Sequence, residues 1–128
     1  MAKRGLLIVS VNINPSKEKE FNDFYNQKHL GVALKIPGYL TGQRFQVFQD
    51  MDLTGAVAGA PSDTFYRGKT HKFIAVYEVD CEEAIAGLAN SPEGAAAAKE
   101  FFEWIPYLKD VSVSFYEPIS EKEVRKAG

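Results

Sequence analysis

Residues 6–13, Leu-Leu-Ile-Val-Ser-Val-Asn-Ile, set an apolar side chain at every odd position with Ser10 and Asn12 between them, and the pattern stops at Asn14-Pro15-Ser16. Alternation with period two marks a strand covered by a core on one face. Directly after the stop the period changes. From Lys17 to about Leu34, the residues Phe21, Phe24, Tyr25, Val32 and Ala33 recur at three- and four-residue steps, which predicts a helix with one buried face. Asn14 or Ser16 supplies its cap, and Pro15 is tolerated in its first turn. A chain that opens strand, break, helix must bury the helix against the sheet to which that strand belongs.

The remaining sequence extends this plan. Ile36-Pro37-Gly38 ends the helix, because proline restricts the residue before it and glycine permits the turn. A strand is predicted from about Tyr39 to Gln49. Lys72 to Val79 is dense in β-branched and aromatic residues and reads as a strand. Asp80 can cap a short helix, Cys81 to about Ala89. Ser91 and Pro92 restart it after a break at Asn90, and it continues through Phe101, Phe102 and Ile105 until Pro106. Val111 to Tyr116 alternates again and gives a fourth strand before the charged tail, Glu121 to Gly128.

The order strand–helix–strand–strand–helix–strand predicts an α+β fold. Right-handed crossovers put both helices on one face of a four-stranded antiparallel sheet. One domain is expected over residues 1–128, with its core at about 5–119. The other face would be bare while carrying aromatics such as Tyr116, so a second copy is expected to cover it and the chain is expected to form a homodimer. Residues 50–70, with scattered Gly, Ala, Pro and Ser, are long for an unstructured connection and read as a functional or interface loop.

Composition narrows the partners. The chain has 128 residues, 45% of them hydrophobic, which is enough for one real core. Its 15 basic and 17 acidic residues are interspersed, leaving a net charge of -2 with no basic stripe, so no nucleic acid partner is expected. The single cysteine, Cys81, cannot make an internal disulfide, and the apolar run Leu6 to Val9 is too short for a signal core or a membrane span. A cytoplasmic protein without a membrane partner is expected. The sequence has no phosphate-cradling glycine pattern, nucleophile elbow or histidine pair at ligand spacing, so no metal site is expected.

Among chemical groups His29 stands out. It lies on the same helical stripe as Phe21, Tyr25 and Val32, which turns its imidazole toward the sheet or the helix edge. Near its ordinary pKa a histidine can move a proton next to a bound carbonyl or phenol, with Tyr25 or an amide such as Asn26 orienting the substrate. The structural alternative is a histidine hydrogen-bonded at a helix end. Haem ligation by His29 also stays open; otherwise no cofactor is expected. Strand parity gives a second set: if the odd positions of the first and last strands face the helices, Ser10, Asn12, Ser112, Ser114 and Tyr116 face the other way and are expected to line a cavity there. Tyr77, chosen over Glu78 by its parity with His71, is assigned to that same pocket. Arg44 on the second strand can bind a carboxylate or a developing enolate, or can be merely solvated or paired. His71 sits at the cavity mouth as a weaker acid–base candidate, or as a solvated loop residue.

The run Lys19-Glu-Phe-Asn-Asp-Phe-Tyr-Asn-Gln-Lys-His29, followed by Ile36-Pro-Gly-Tyr-Leu40 and Arg44, resembles the first half of EthD-like and related dimeric α+β barrel proteins. Phe73 to Val79 resembles their third strand, and the likeness spans about Leu6 to Ile119. It implies a ferredoxin-like fold pairing into a dimeric barrel. It also implies a histidine following an aromatic-Tyr pair in the pocket, and a range of activities: isomerases, lyases, cofactor-free monooxygenases and haem enzymes. The Thr70-His71 pair is similar to the same position in stress-responsive barrels, some of which are polyketide cyclases. Two functions follow as expectations. One is a cofactor-independent enzyme acting on a small hydrophobic carbonyl or phenolic compound, of isomerase, lyase/cyclase or monooxygenase type. The other is a non-catalytic, small-molecule-binding or stress-related barrel.

Overall fold

The computed structural model describes residues 3–56, 58–61, 63–65 and 70–127. Strand β1 (Arg4–Ile13) is followed by a tight turn, Pro15–Lys17, in which Asn14 Oδ1 accepts the Ser16 N–H at 3.0 Å, so Asn14 is the cap. The first helical stretch has three parts: α1 (Glu18–Phe24), a π turn (Tyr25–His29) and α2 (Leu30–Ala33). After Gly38 come β2 (Tyr39–Gln46) and β3 (Phe73–Asp80). Two further helices, α3 (Cys81–Asn90) and α4 (Pro92–Phe102), precede β4 (Leu108–Tyr116).

The caps explain the helical boundaries. Asp80 Oδ1 accepts the Glu83 N–H at 3.1 Å and starts α3. Ser91 Oγ accepts the Gly94 N–H at 2.9 Å and donates to the Gly87 carbonyl at 2.6 Å, so this one hydroxyl ends α3 and begins α4. Gly38 has φ +87, and a Cβ there would lie 2.4 Å from the Ala84 nitrogen, so glycine is required for the chain to turn beneath α3.

The sheet order is β2-β3-β1-β4, with every neighbouring pair antiparallel. Both helical stretches cover one face, where Leu7, Val11, Phe73, Ala75, Tyr77 and Val79 of the sheet meet Phe21, Tyr25, Ala33, Ala84 and Ala97 of the helices. Two strands differ in extent from the sequence expectation. β2 stops at Gln46 and not Gln49, because the Val47 N–H to Lys72 carbonyl bond closes its ladder with β3. β4 starts at Leu108 instead of Val111, because Asp110 takes φ 54 and forms a bulge that lets Leu108 and Lys109 pair with Ile13 and Asn12.

Within the connection from β2 to β3, Asp52 accepts from Thr54 and leads into a short turn, Thr54–Ala56. The Thr70 hydroxyl donates to Asp50 at 2.9 Å and ties the ends of the segment together. Residues 57, 62 and 66–69 of the expected functional loop lie outside the described residues.

Candidate functional site: a histidine and three tyrosines beneath the helices

A cavity of about 350 Å³ lies between the helices and the sheet. Its walls are almost entirely apolar, and its polar groups come from His29, Tyr25, Tyr39 and Tyr77. Phe102 of α4 and Val111 and Val113 of the edge strand β4 line it while remaining half exposed, which places its mouth at the β4 edge.

His29 is 5% exposed and is the buried polar side chain of the core. Its ring lies between Phe24 and Phe101, at interplanar angles of 28° and 30°, with the edge of Tyr25 against it at 4.7 Å. Nδ1 lies 2.6 Å from Glu100 Oε1. A carboxylate only accepts, so Nδ1 carries the proton and, in the neutral ring, Nε2 keeps its lone pair. Glu100 is itself within 3.6 Å of Lys28 Nζ. Both Tyr25 and His29 lie on the π turn and line the same cavity, and this irregularity recurs at functional sites.

Burial holds the His29 pKa below its ordinary value, while Glu100 pulls it upward. The folded chain therefore binds this proton less readily than the unfolded chain. The contribution to stability is complete above the unfolded value, about pH 6.5, is lost as the pH falls through that value, and levels off below the folded value. Thermal melts from about pH 8 to pH 5 are expected to show a steeper acid-side loss for the native chain than for His29→Asn, in which nothing titrates at this position. Equal slopes would mean that His29 titrates alike in both states.

The tyrosines supply the other polar groups of the cavity. Tyr25 and Tyr77 share a hydrogen bond between hydroxyls at 2.8 Å, and the Tyr39 ring packs on Tyr77 at 5.3 Å. Burial pushes the Tyr25 and Tyr39 hydroxyls up to about 12 and that of Tyr77 higher still. All three remain protonated near neutral pH and act as hydrogen-bond donors. Gly42, opposite Tyr77 across the β2–β3 ladder, makes room for this wall, since a Cβ there would lie 2.9 Å from the Tyr77 ring.

Arg44 lies outside the cavity. Its guanidinium stacks over the Tyr25 ring at 4.5 Å and donates from Nη1 to Asn22 at 2.8 Å and Asn26 at 3.1 Å. Arg44 and Asn26 therefore sit together behind Tyr25, and neither lines the cavity.

The second expected set is divided by the sheet. Ser10, Ser112, Ser114 and Tyr116 lie on the open face, away from the helices, where Ser10 pairs with Ser112 and Ile74, and Tyr116 pairs with Leu6. In a single chain that face is one uncovered layer, and the cavity is on its other side. Asn12 is engaged at the strand end, donating to Asp110 at 3.1 Å and accepting the Lys72 N–H at 2.9 Å. Tyr77 is a correction: it pairs with Leu7 and faces the helices, whereas Glu78, paired with Leu6, shares the face of Tyr116. Parity with His71 misassigned it, because His71 precedes β3 and does not share its pleat. His71 does not line the cavity; its Nε2 is hydrogen-bonded to the Asp110 carbonyl.

Glu100 was not anticipated from the sequence, being 71 residues from the histidine it orients. The available signal was an acid three residues after the inward Ala97 and four before Trp104, on the buried stripe of its helix.

No protein family description matches the chain, and no curated protein is significantly similar to it. Solved structures do match. An EthD-family protein from Bacillus halodurans C-125 aligns over 90% of this chain and 99% of its own, at 15% identity and a TM-score of 0.59. The haem degrader MhuD from Mycobacterium tuberculosis, solved with two haems in its active site, aligns over 93% and 99% at 18% identity and a TM-score of 0.57. A dimeric ferredoxin-like protein of unknown function from Thermobifida fusca YX aligns over 92% and 93% at 15% identity and a TM-score of 0.53. The chain has the ferredoxin-like fold of the EthD-type proteins. At these identities the likeness is one of fold. The same group of matches includes proteins described as antibiotic biosynthesis monooxygenases. Among the described residues no helix is long and apolar enough to cross a membrane.

Proposed function

We propose that the cavity beneath the helices binds a small hydrophobic carbonyl or phenolic compound and that His29 removes a proton from it. The observation that carries this reading is the Nδ1 contact of His29 with Glu100 at the wall of an apolar cavity that the paired Tyr25 and Tyr77 also line. Glu100 fixes the tautomer, Nε2 takes the proton from an acidic C–H or O–H, and the electron pair stays on the substrate as an enolate or phenolate. Tyrosine hydroxyls that remain protonated donate to the developing oxyanion, which is where a fixed donor in a water-poor site contributes most. Return of the proton at another carbon completes an isomerisation; its transfer to a leaving group expelled by the enolate completes a lyase step, and its transfer to the alkoxide formed when the enolate carbon attacks a second carbonyl of the same molecule completes a cyclisation.

The cavity volume is near the lower end of roughly 300–1,000 Å³ for ligand sites, which suits a one- or two-ring compound better than a haem macrocycle. No step of this reading passes through haem. The reading is tested by titrating the protein with naphthols and β-diketones while following the ring signals of His29 and Tyr25. Saturable shifts, followed by deuterium exchange of the acidic C–H of the bound compound, are expected. Binding without exchange leaves the non-catalytic barrel as the function.

A homodimer belongs to the same proposal. The open sheet face carries half-exposed Leu6 and Tyr116, and Phe45 on β2 points the same way, an apolar surface that a second copy would cover. Light scattering at micromolar concentration should give twice the mass of the chain. A monomer would leave the fold intact and remove the barrel. The free Cys81, buried against the Tyr116 carbonyl, fits the reducing cytosol in which we place the protein.

A further inference from the structure

Behind Tyr25, on the far side of its ring from the cavity, a second pocket of about 210 Å³ is formed by Asn22, Asn26, Arg44, Phe45, Gln46 and Phe73. No acidic residue lines it. The carboxylates of α1 are engaged elsewhere: Glu18 by Lys72 at 2.9 Å, Glu20 by Lys17 at 3.6 Å and Asp23 by Lys19 at 2.8 Å. Among the described residues the Arg44 guanidinium has no ion-pair partner. Both of its hydrogen bonds leave from Nη1 to amide oxygens, and its buried Nε has no partner. A half-buried cation held only by neutral groups and aromatic rings is an incomplete arrangement, since such charges are normally matched by an anion. The amide nitrogens of Asn22 and Asn26, whose oxygens face the arginine, add donors to the same pocket.

We propose that this pocket is a carboxylate-binding site, distinct from the cavity and backing onto it through the ring of Tyr25. Its ligand is a small organic monocarboxylate, with the charged group on Arg44 and the amides and the apolar part against Phe73. An arginine takes a carboxylate in two parallel hydrogen bonds, and the aromatic wall favours an organic acid over inorganic phosphate.

The test uses sodium benzoate at constant ionic strength, following the Arg44 Nε–H and the Asn22 and Asn26 side-chain amide signals by NMR. Saturable shifts are expected, with a midpoint of about 1 mM and a much weaker response to phosphate. Asn26→Asp places a carboxylate of the chain itself beside Arg44, so it should abolish the benzoate response while raising the melting temperature. His29→Asn should leave the titration unchanged, which separates this site from the one in the cavity. Non-saturating shifts, phosphate titrating as well as benzoate, or a lower melting temperature in Asn26→Asp would each overturn the proposal and leave Arg44 as a packing residue.

Discussion

The replacement His29→Asn is expected to lower turnover of the true substrate by about 10²–10⁴, the range for loss of a general base, while the melting temperature near neutral pH changes little. Asparagine preserves an N–H that can face Glu100, and Lys28 stays beside that carboxylate, so no buried charge is stranded. On the proposed function, kcat/KM of the native chain should fall on the acid side through the His29 pKa, which burial sets below about 6.5. Glu100→Gln removes the group that raises this pKa, so the acid limb should move to lower pH as kcat drops. A merely structural Glu100 would lower activity without moving the limb. If His29→Asn turns over normally, the proton passes through another group. If it instead loses several kcal/mol of stability, the histidine is a structural member of the core.

Phe21→Ala is expected to cost about 3–5 kcal/mol, as large deletions in a sealed core do. Phe21 has no exposed surface and meets Tyr25 at 5.7 Å and Trp104 at 5.3 Å, both edge-on, with the Arg44 guanidinium 5.5 Å from its ring. Against a total of about 5–15 kcal/mol for a typical domain, that is a large share. Urea unfolding should show the loss as a lower midpoint with an unchanged slope. A loss below about 1.5 kcal/mol would mean that the surrounding rings collapse into the space. Because Phe21 also braces Tyr25, ligand affinity in the cavity should weaken in the same variant.

The order of elements could be read from the sequence because each is announced by a change of hydrophobic period and closed by a cap or breaker: Asn14, Gly38, Asp80 and Ser91 all act as their residue types predict. His29 was legible as an inward residue because Phe21 and Tyr25 share its stripe. Its chemistry was not, since the residue that fixes its tautomer comes from another helix. The enclosed volume beneath the helices was not legible for a different reason. Alternation in Ser10, Ser112 and Ser114 separates two faces of a sheet without indicating which of them encloses a volume. The bulge at Asp110 was hidden too, because no pattern in Lys109-Asp110-Val111 signals a left-handed residue.

The π turn at Tyr25–His29 has a bearing on how such a site arises and is lost. A π turn amounts to one residue more than the surrounding α-helix needs. Deleting one residue between Tyr25 and His29 would let the segment close as an uninterrupted helix in which the portions on either side keep their faces. Phe21 and Ala33 would then stand about three turns apart, and both would still point into the core. One codon therefore separates a regular helix from one that carries an extra residue where a tyrosine and a histidine line a shared cavity. Descendants of a common ancestor could differ in chemistry by an insertion that leaves every strand of the sheet in register.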